Sequence, residues 1–242
     1  ASGPAPIIAR KAMSDKIKIG YFSADFFNFA GMHLMIGMLE SHCRERFEVS
    51  AFAYGKIPND AMNRRIVDAV DHYYDVNAMS PSSVADACRE MGLDIALHRN
   101  GYTKGHRTAI FAERAAPIQI NYLGYPSTLG APFMDYIVAD SVVIPPEWRH
   151  CYSENVIYMP HSYQPNDGSR AAPEVTCTRA EHGLPEDAFV LCCFNNNFKI
   201  DPAAFDIWMR VMRNQPDTCL WLLSNGALAD GNLRREATAR GV

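Results

Sequence analysis

Short apolar runs alternate along this chain with stretches whose apolar residues recur at helical spacing, and that alternation predicts βα units built around a mostly parallel sheet. The runs are Ile17–Ser23, Phe47–Tyr54, Tyr73–Val76, Ile95–His98, Ile118–Leu123, Tyr136–Ala139, Val156–Met159, Phe189–Phe194 and Cys219–Leu223. Several are rich in Val, Ile, Tyr and Phe, which pack well on a pleated surface. Between them, Ser80-Pro81 followed by Val84, Ala87, Cys88 and Met91, then Gly92, predicts a helix with a capping serine, a proline in its first turn and a glycine after its last. Asp201-Pro202 opens a second helix in the same way, with Phe205, Trp208, Met209 and Met212 at helical spacing and Pro216 closing it.

The period disappears at Ser162–Thr178, where Pro165, Asn166, Asp167, Gly168, Pro173 and Thr176 gather. The chain therefore reads as a Rossmann-like α/β half over residues 1–163, a linker over 164–176, and the start of a second α/β unit over 177–242. That second stretch offers a helix, a strand, a helix, a strand and a last helix, too few to complete a doubly wound sheet. No internal repeat is present.

Composition narrows the class. At 48% hydrophobic and 21% charged residues the 242-residue chain is globular, with enough apolar material for a sizeable core. The net charge of -4 gives no field to attract a polyanion, so nucleic acid is not an expected partner. Ala1 to Lys16 lacks the apolar core of a signal peptide, and no later stretch approaches the roughly eighteen apolar residues of a membrane span. The seven cysteines form no C-x-x-C pair and no zinc-finger spacing with histidine. Cys192 and Cys193 are adjacent in a strand-like run that points them to opposite faces, so buried thiols are expected rather than a disulfide. A reducing cytoplasm fits that reading.

In open α/β sheets ligands bind beyond the carboxyl ends of the strands, which directs attention to four loops. The first, Ala24 to His33, brings Asp25, Asn28 and His33 to the start of a helix but lacks the G-x-G-x-x-G of a dinucleotide site. Its structural alternative is that Asp25 or Asn28 caps the helix while His33 packs in the first turn. The second, His98 to Arg107, gathers His98, Arg99, Lys104, His106 and Arg107 among glycines, a flexible electropositive loop for an anion or a solvated basic turn. The third, Leu123 to Pro132, carries two glycines and two prolines that let a ligand approach the backbone, or make an ordinary turn. The fourth, Phe194 to Pro202, sets Lys199 just before a helix start, where an ammonium and backbone N–H groups could hold a phosphate.

These loops together resemble the catalytic domain of O-GlcNAc transferases and their bacterial and plant SPINDLY-like relatives. The resemblance is carried by Ile19-Gly20-Tyr21-Phe22-Ser23-Ala24-Asp25-Phe26, Asn100-Gly101-Tyr102-Thr103-Lys104-Gly105, and Ala116-Pro117-Ile118-Gln119 through Leu123-Gly124-Tyr125-Pro126. It continues through Phe133-Met134-Asp135-Tyr136, Tyr158-Met159-Pro160-His161, Gly183-Leu184-Pro185-Glu186-Asp187-Ala188 and Lys199-Ile200-Asp201-Pro202.

The resemblance implies a GT-B glycosyltransferase with two Rossmann-like domains facing a cleft and a UDP-sugar bound mainly by the second. It implies that Lys199 neutralises diphosphate charge as the sugar bond breaks, without a metal or other cofactor, and that Asp25 and His33 stand near proton transfer. Asn196 falls where the family commonly has a glutamine near the nucleotide. Leu123 and Gly124 match positions lining the sugar pocket, Tyr102, Lys104 and Arg107 match the same wall, and Asn28 belongs to the first loop. One departure concerns that loop, since Phe29 stands where the family has a histidine after the asparagine, leaving His33 as the nearest imidazole. Two others are that a family histidine lies upstream of residue 1 and the later nucleotide-binding segments lie beyond Val242. The implied activity is inverting transfer of GlcNAc from UDP-GlcNAc to Ser or Thr hydroxyls of an acceptor protein, by a whole enzyme that in this family can carry tetratricopeptide repeats. Its rivals are a GT-B enzyme with another donor or acceptor and a non-catalytic binding module descended from the transferase.

Overall fold

The structure, a computed structural model, describes residues 15–171, 174 and 177–242. The reading of Ala1–Lys16 as free of a leader therefore lies almost wholly outside the described residues, as does part of the 164–176 stretch. Two compact units divide between residues 171 and 172.

In the first unit the expected alternation becomes β1 (Ile17–Ser23), α1 (Ala30–Glu40), β2 (Phe47–Ala53), α2 (Ala61–Asp68), β3 (His72–Asp75), α3 (Pro81–Glu90), β4 (Ile95–His98), α4 (Ala109–Ala112), β5 (Ile118–Asn121), β6 (Tyr136–Ala139) and β7 (Asn155–Tyr158). The seven strands are all parallel, in the order β3-β2-β1-β4-β5-β6-β7. This is the Rossmann order with one further strand, and it reverses direction between β1 and β4. At that reversal the connections leave to opposite faces and open a crevice at the strands' carboxyl ends.

The core follows from the strand period of two. Ile19 and Tyr21 of β1 point to the face covered by Met32, Met35, Ile36 and Leu39 of α1, and Phe22 points to the face covered by Val84, Ala85 and Cys88 of α3. Phe22 is fully buried, stacks on Phe52 at 4.4 Å and meets the edge of Phe111 at 5.2 Å. Burying such a ring contributes about 2–3 kcal/mol. Burial also pushes the Cys88 thiol up to about 12 and leaves it inert.

The caps read from sequence form as expected at α3, where Ser80 accepts from the Ser83 N–H. Helix α1 differs. Its N-cap is Phe29, in extended conformation and with no side-chain cap bond, so neither Asp25 nor Asn28 caps the helix. Both are drawn away by partners, Asp25 by Arg99 and Asn100, and Asn28 by Asp60 and His33. The first part of the stretch expected as a linker is tied to the first unit. Asp167 accepts from Arg65 at 2.6 Å and from the Ser169 hydroxyl and N–H, which together hold its carboxylate well below its ordinary range, and Arg65 also pairs with Glu40.

The second unit pairs β8 (Phe189–Cys193) with β9 (Thr218–Leu222) in parallel, followed respectively by α5 (Pro202–Asn214) and α6 (Ala227–Ala239). Asp201 caps α5 through the Ala204 N–H at 2.9 Å. The helix expected before β8 is only a short 3₁₀ turn at Ala180–His182, because Gly183 turns the backbone left-handed (φ 65°) and Pro185 follows. The expectation of buried thiols also fails. Cys192 is exposed and Cys193 half-buried, since two strands and two helices cover too little of the sheet, and all seven cysteines are free.

Candidate functional site

Loops after β1, β4 and β5 meet at the carboxyl edge of the first unit's sheet, where the strand order reverses. Arg99 is their hub. It is 3% exposed, its guanidinium donates to Asp25 Oδ2 at 2.6 Å, and it lies 5.5 Å from the centre of the Phe29 ring. Asn100, also buried, donates to the same carboxylate oxygen at 2.7 Å and accepts from the Ala24 N–H at 2.9 Å. Burial pulls the Arg99 guanidinium below its ordinary value, and the Asp25 charge opposes that pull. A pair this enclosed is held by geometry that exposed ion pairs lack.

Glycines let the loops close on this hub. A methyl on Gly31 would collide with the Arg99 guanidinium, and one on Gly124 with the Arg99 carbonyl. Gly101 (φ 52°) has no room for a side chain against Tyr125. Leu123 adopts φ 79°, and the Gly124 N–H bonds back to the Tyr122 carbonyl at 3.2 Å, so a buried leucine sits at the centre of a γ-turn. Strain of this kind, about 1–3 kcal/mol, persists where neighbours over-determine the backbone. Here Asn121 does so, its amide donating to the Tyr125 and Ser127 carbonyls, each at 3.0 Å. From the far side buried Glu154 accepts from Thr128 and from the Leu129 N–H, both at 2.7 Å.

The expected site residues divide accordingly. Asp25, Asn28, His33, Tyr102, Lys104, Leu123 and Gly124 all lie on or beside these loops. The His33 Nε2–H donates to Asn28 Oδ1 at 2.8 Å, which ties the imidazole to the first loop. Tyr102 exposes its ring but spends its hydroxyl on the Leu129 carbonyl at 2.9 Å. The second loop is not the electropositive surface its composition suggested. Arg99 is buried against Asp25, and Arg107 donates to the carbonyls of Val76 at 2.7 Å and Met79 at 2.5 Å, which leaves Lys104 as its exposed lysine. From sequence Arg99 counted only as one more cation of that loop and Asn100 only as part of a motif, and Asn121 was not singled out. Their signal was present as consecutive polar residues closing two apolar strands.

His98 marks the floor of this region. It is fully buried, lies 4.3 Å over Phe111 and hydrogen-bonds Thr108 at 3.0 Å, and burial, aided by His106, pushes it down to about 3. It is therefore neutral in the fold. As pH falls from about 6.5 towards 3 the unfolded chain takes up a proton that the folded imidazole refuses, so this residue lowers stability across that window. Imidazole NMR signals should show no titration of His98 between pH 5 and 8 (roughly the range of a free histidine); a midpoint inside it would contradict the buried neutral ring.

On the second unit, β8 ends in a loop whose 3₁₀ turn, Asn197–Lys199, leads into α5. Lys199 is exposed and its ammonium has no partner among the described residues. Asn196 accepts from the Asn225 side chain at 3.1 Å. Apart from this loop, an apolar groove of about 610 Å³ runs between α5, β9 and α6, lined by Phe205, Met209, Trp221 and Leu233.

Among the described residues no group of acidic, histidine or cysteine side chains has the arrangement of a metal site, and no helix is long and apolar enough to cross a membrane. The model of glycosyl transferase family 41 matches residues 6–173 and 167–242. The probable UDP-N-acetylglucosamine–peptide N-acetylglucosaminyltransferase SEC of Arabidopsis thaliana is 37% identical over 240 residues, covering 97% of this chain and 25% of that protein. The UDP-N-acetylglucosamine–peptide N-acetylglucosaminyltransferase of Caenorhabditis elegans is 26% identical, over 99% of this chain and 31% of its own length. Among solved structures, a lysine-to-methionine variant of the O-GlcNAc transferase of Thermobaculum terrenum superposes with a TM-score of 0.82 at 26% identity, over 94% of this chain and 43% of that one. The chain thus spans a quarter to a third of the length of these two curated relatives.

Proposed function

Because the chain belongs to glycosyl transferase family 41, we propose that the whole protein transfers N-acetylglucosamine from UDP-GlcNAc to serine or threonine hydroxyls of proteins, with inversion at the anomeric carbon. In that reaction the acceptor oxygen attacks the anomeric carbon from the face opposite the diphosphate. The bond from that carbon to the phosphate oxygen breaks, UDP leaves with the electron pair, and the hydroxyl proton passes to a base. The observation that carries the reading is Lys199, an exposed cation without a partner among the described residues, at the carboxyl end of β8. A cation beside the phosphates stabilises the charge gained by the leaving group more in the transition state than in the ground state.

On this reading Asp25 is a structural carboxylate. One of its oxygens already accepts from Arg99 and Asn100, which commits the group to joining the loops after β1 and β4. His33, with Nδ1 unengaged by Asn28, is the better proton acceptor on the first loop. The seven free cysteines suit a reducing compartment such as the cytoplasm. A different donor sugar is the second reading, favoured by the exposed Phe29 ring in the loop that carries His33. The test is transfer of labelled sugar from a panel of nucleotide sugars to Ser/Thr peptides by the whole protein. UDP-GlcNAc is expected to give the most product. Preferential use of another donor would replace the sugar assignment, and no transfer from any donor would remove the enzymatic reading.

A further inference from the structure

The connection from β6 to β7 brings a thiol and an imidazole together, and sugar transfer uses neither. A 3₁₀ helix, Pro146–Cys151, crosses this connection. It is anchored in front by fully buried Ile144 and behind by Tyr152, both packed in the cluster around Ile137. Arg149 closes the turn by donating to the Tyr152 carbonyl at 2.9 Å. With three residues per turn, residues three apart eclipse, so Glu147 and His150 share one ridge of this helix. His150 Nδ1 lies 2.8 Å from the Glu147 carbonyl oxygen, and its Nε2 lies 3.5 Å from the Cys151 sulfur. A carbonyl can only accept, so Nδ1 carries the proton and the neutral ring turns the lone pair of Nε2 to the thiol. Both side chains are exposed, which leaves the sulfur open to attack a reagent from solvent. Cys43, Cys177 and Cys192 are exposed as well, but among the described residues none of their thiols shares a hydrogen bond with a histidine.

We propose that Cys151 is a modification site, a thiol activated by His150 that forms mixed disulfides with low-molecular-weight disulfides. The thiol proton passes to His150 Nε2 and the thiolate attacks one sulfur of the reagent. The reagent's S–S bond breaks, and its other half leaves with the electron pair as a thiolate that takes the proton from the imidazolium. Cys151 ends oxidised, joined to one half of the reagent by a new S–S bond, and the released half is reduced to a thiol. Reagents of this class build up when the thiol pool of a reducing compartment is oxidised, and an excess of thiol reverses the step. The inference goes beyond the transferase reading and does not depend on it.

The experiment treats the full chain with glutathione disulfide near neutral pH, quenches with iodoacetamide, and follows each cysteine by peptide mass spectrometry. A free thiol is only about 3% thiolate at about pH 7, so complete assistance by a base is worth up to about thirtyfold in rate. Cys151 should react about threefold to thirtyfold faster than Cys43, Cys177 and Cys192, and a dithiol should release the adduct. His150→Gln and His150→Ala should each remove most of that advantage while the other three rates stay put. Cys88, buried in the first unit, should remain unmodified throughout and reports that the fold is intact. A Cys151 rate less than threefold above those of the other exposed thiols overturns the proposal. An advantage that survives both histidine substitutions overturns it too.

Discussion

Arg99→Met is expected to destabilise the first unit by about 3–5 kcal/mol, the cost of leaving one member of a buried ion pair without its partner. The Arg99 side chain is only 4% exposed and that of Asp25 17%, so solvent screens the pair far less than a surface bridge. Methionine fills much of the same volume, which keeps the loss electrostatic rather than a cavity effect. It strands Asp25 beside Asn100 and removes the cation that lies 5.5 Å from the centre of the Phe29 ring. Hydrogen exchange read on peptides from β1 and β4 isolates the first unit from the second. Protection there should fall by about a hundredfold or more, as a free-energy loss of that size requires. A change under roughly threefold would mean that Asp25 finds compensation in water and that the pair contributes no more than a surface bridge does.

Lys199→Met, in the whole protein, is expected to lower sugar transfer about a hundredfold or more while the fold is unchanged by circular dichroism. The lysine ends the short 3₁₀ turn between β8 and α5, its exposed side chain has no partner among the described residues, and Asp201 caps α5 without it, so the substitution removes no contact that holds the fold. The loss should fall on kcat rather than on KM, because the leaving UDP carries more negative charge in the transition state than in the bound donor. Turnover within about threefold of the unmodified protein would reduce Lys199 to a surface charge and take away the phosphate assignment of its loop.

The sequence made some elements legible because their determinants are local. Ser80-Pro81 and Asp201-Pro202 start helices through bonds that span three residues, and the strand runs declare themselves by composition. The hub of the first unit was not legible. Arg99 sits among Lys104, His106 and Arg107 in a glycine-rich loop, the composition of a solvated basic turn, and its burial is decided by a carboxylate 74 residues earlier. Arg107 was misread for the same reason, since the carbonyls it holds belong to the β3–α3 connection. Asp25 and Asn28 have the chemistry of helix caps but are engaged by distant partners, which leaves that place to Phe29. The short turn at Ala180–His182 shows the opposite case, in which a local signal, Gly183 with Pro185, was present and outweighed the apolar pattern.

Gly31 costs helix α1 about 1 kcal/mol relative to alanine, and the Arg99 guanidinium occupies the space its side chain would need. That exclusion fixes an order of ancestry. An arginine could settle at position 99 in this pose only in a lineage that already had glycine at 31. Once settled, it narrows the way back, because a residue larger than glycine at 31 requires the Arg99 guanidinium to leave this pose or position 99 to change. Gly124, where a side chain would meet the Arg99 backbone carbonyl, is under a different rule, since any amino acid at 99 carries the same carbonyl. Variants with a side chain at 31 should therefore tolerate many residues at 99 but not an arginine in this buried pose, whereas the requirement for glycine at 124 should not depend on either position.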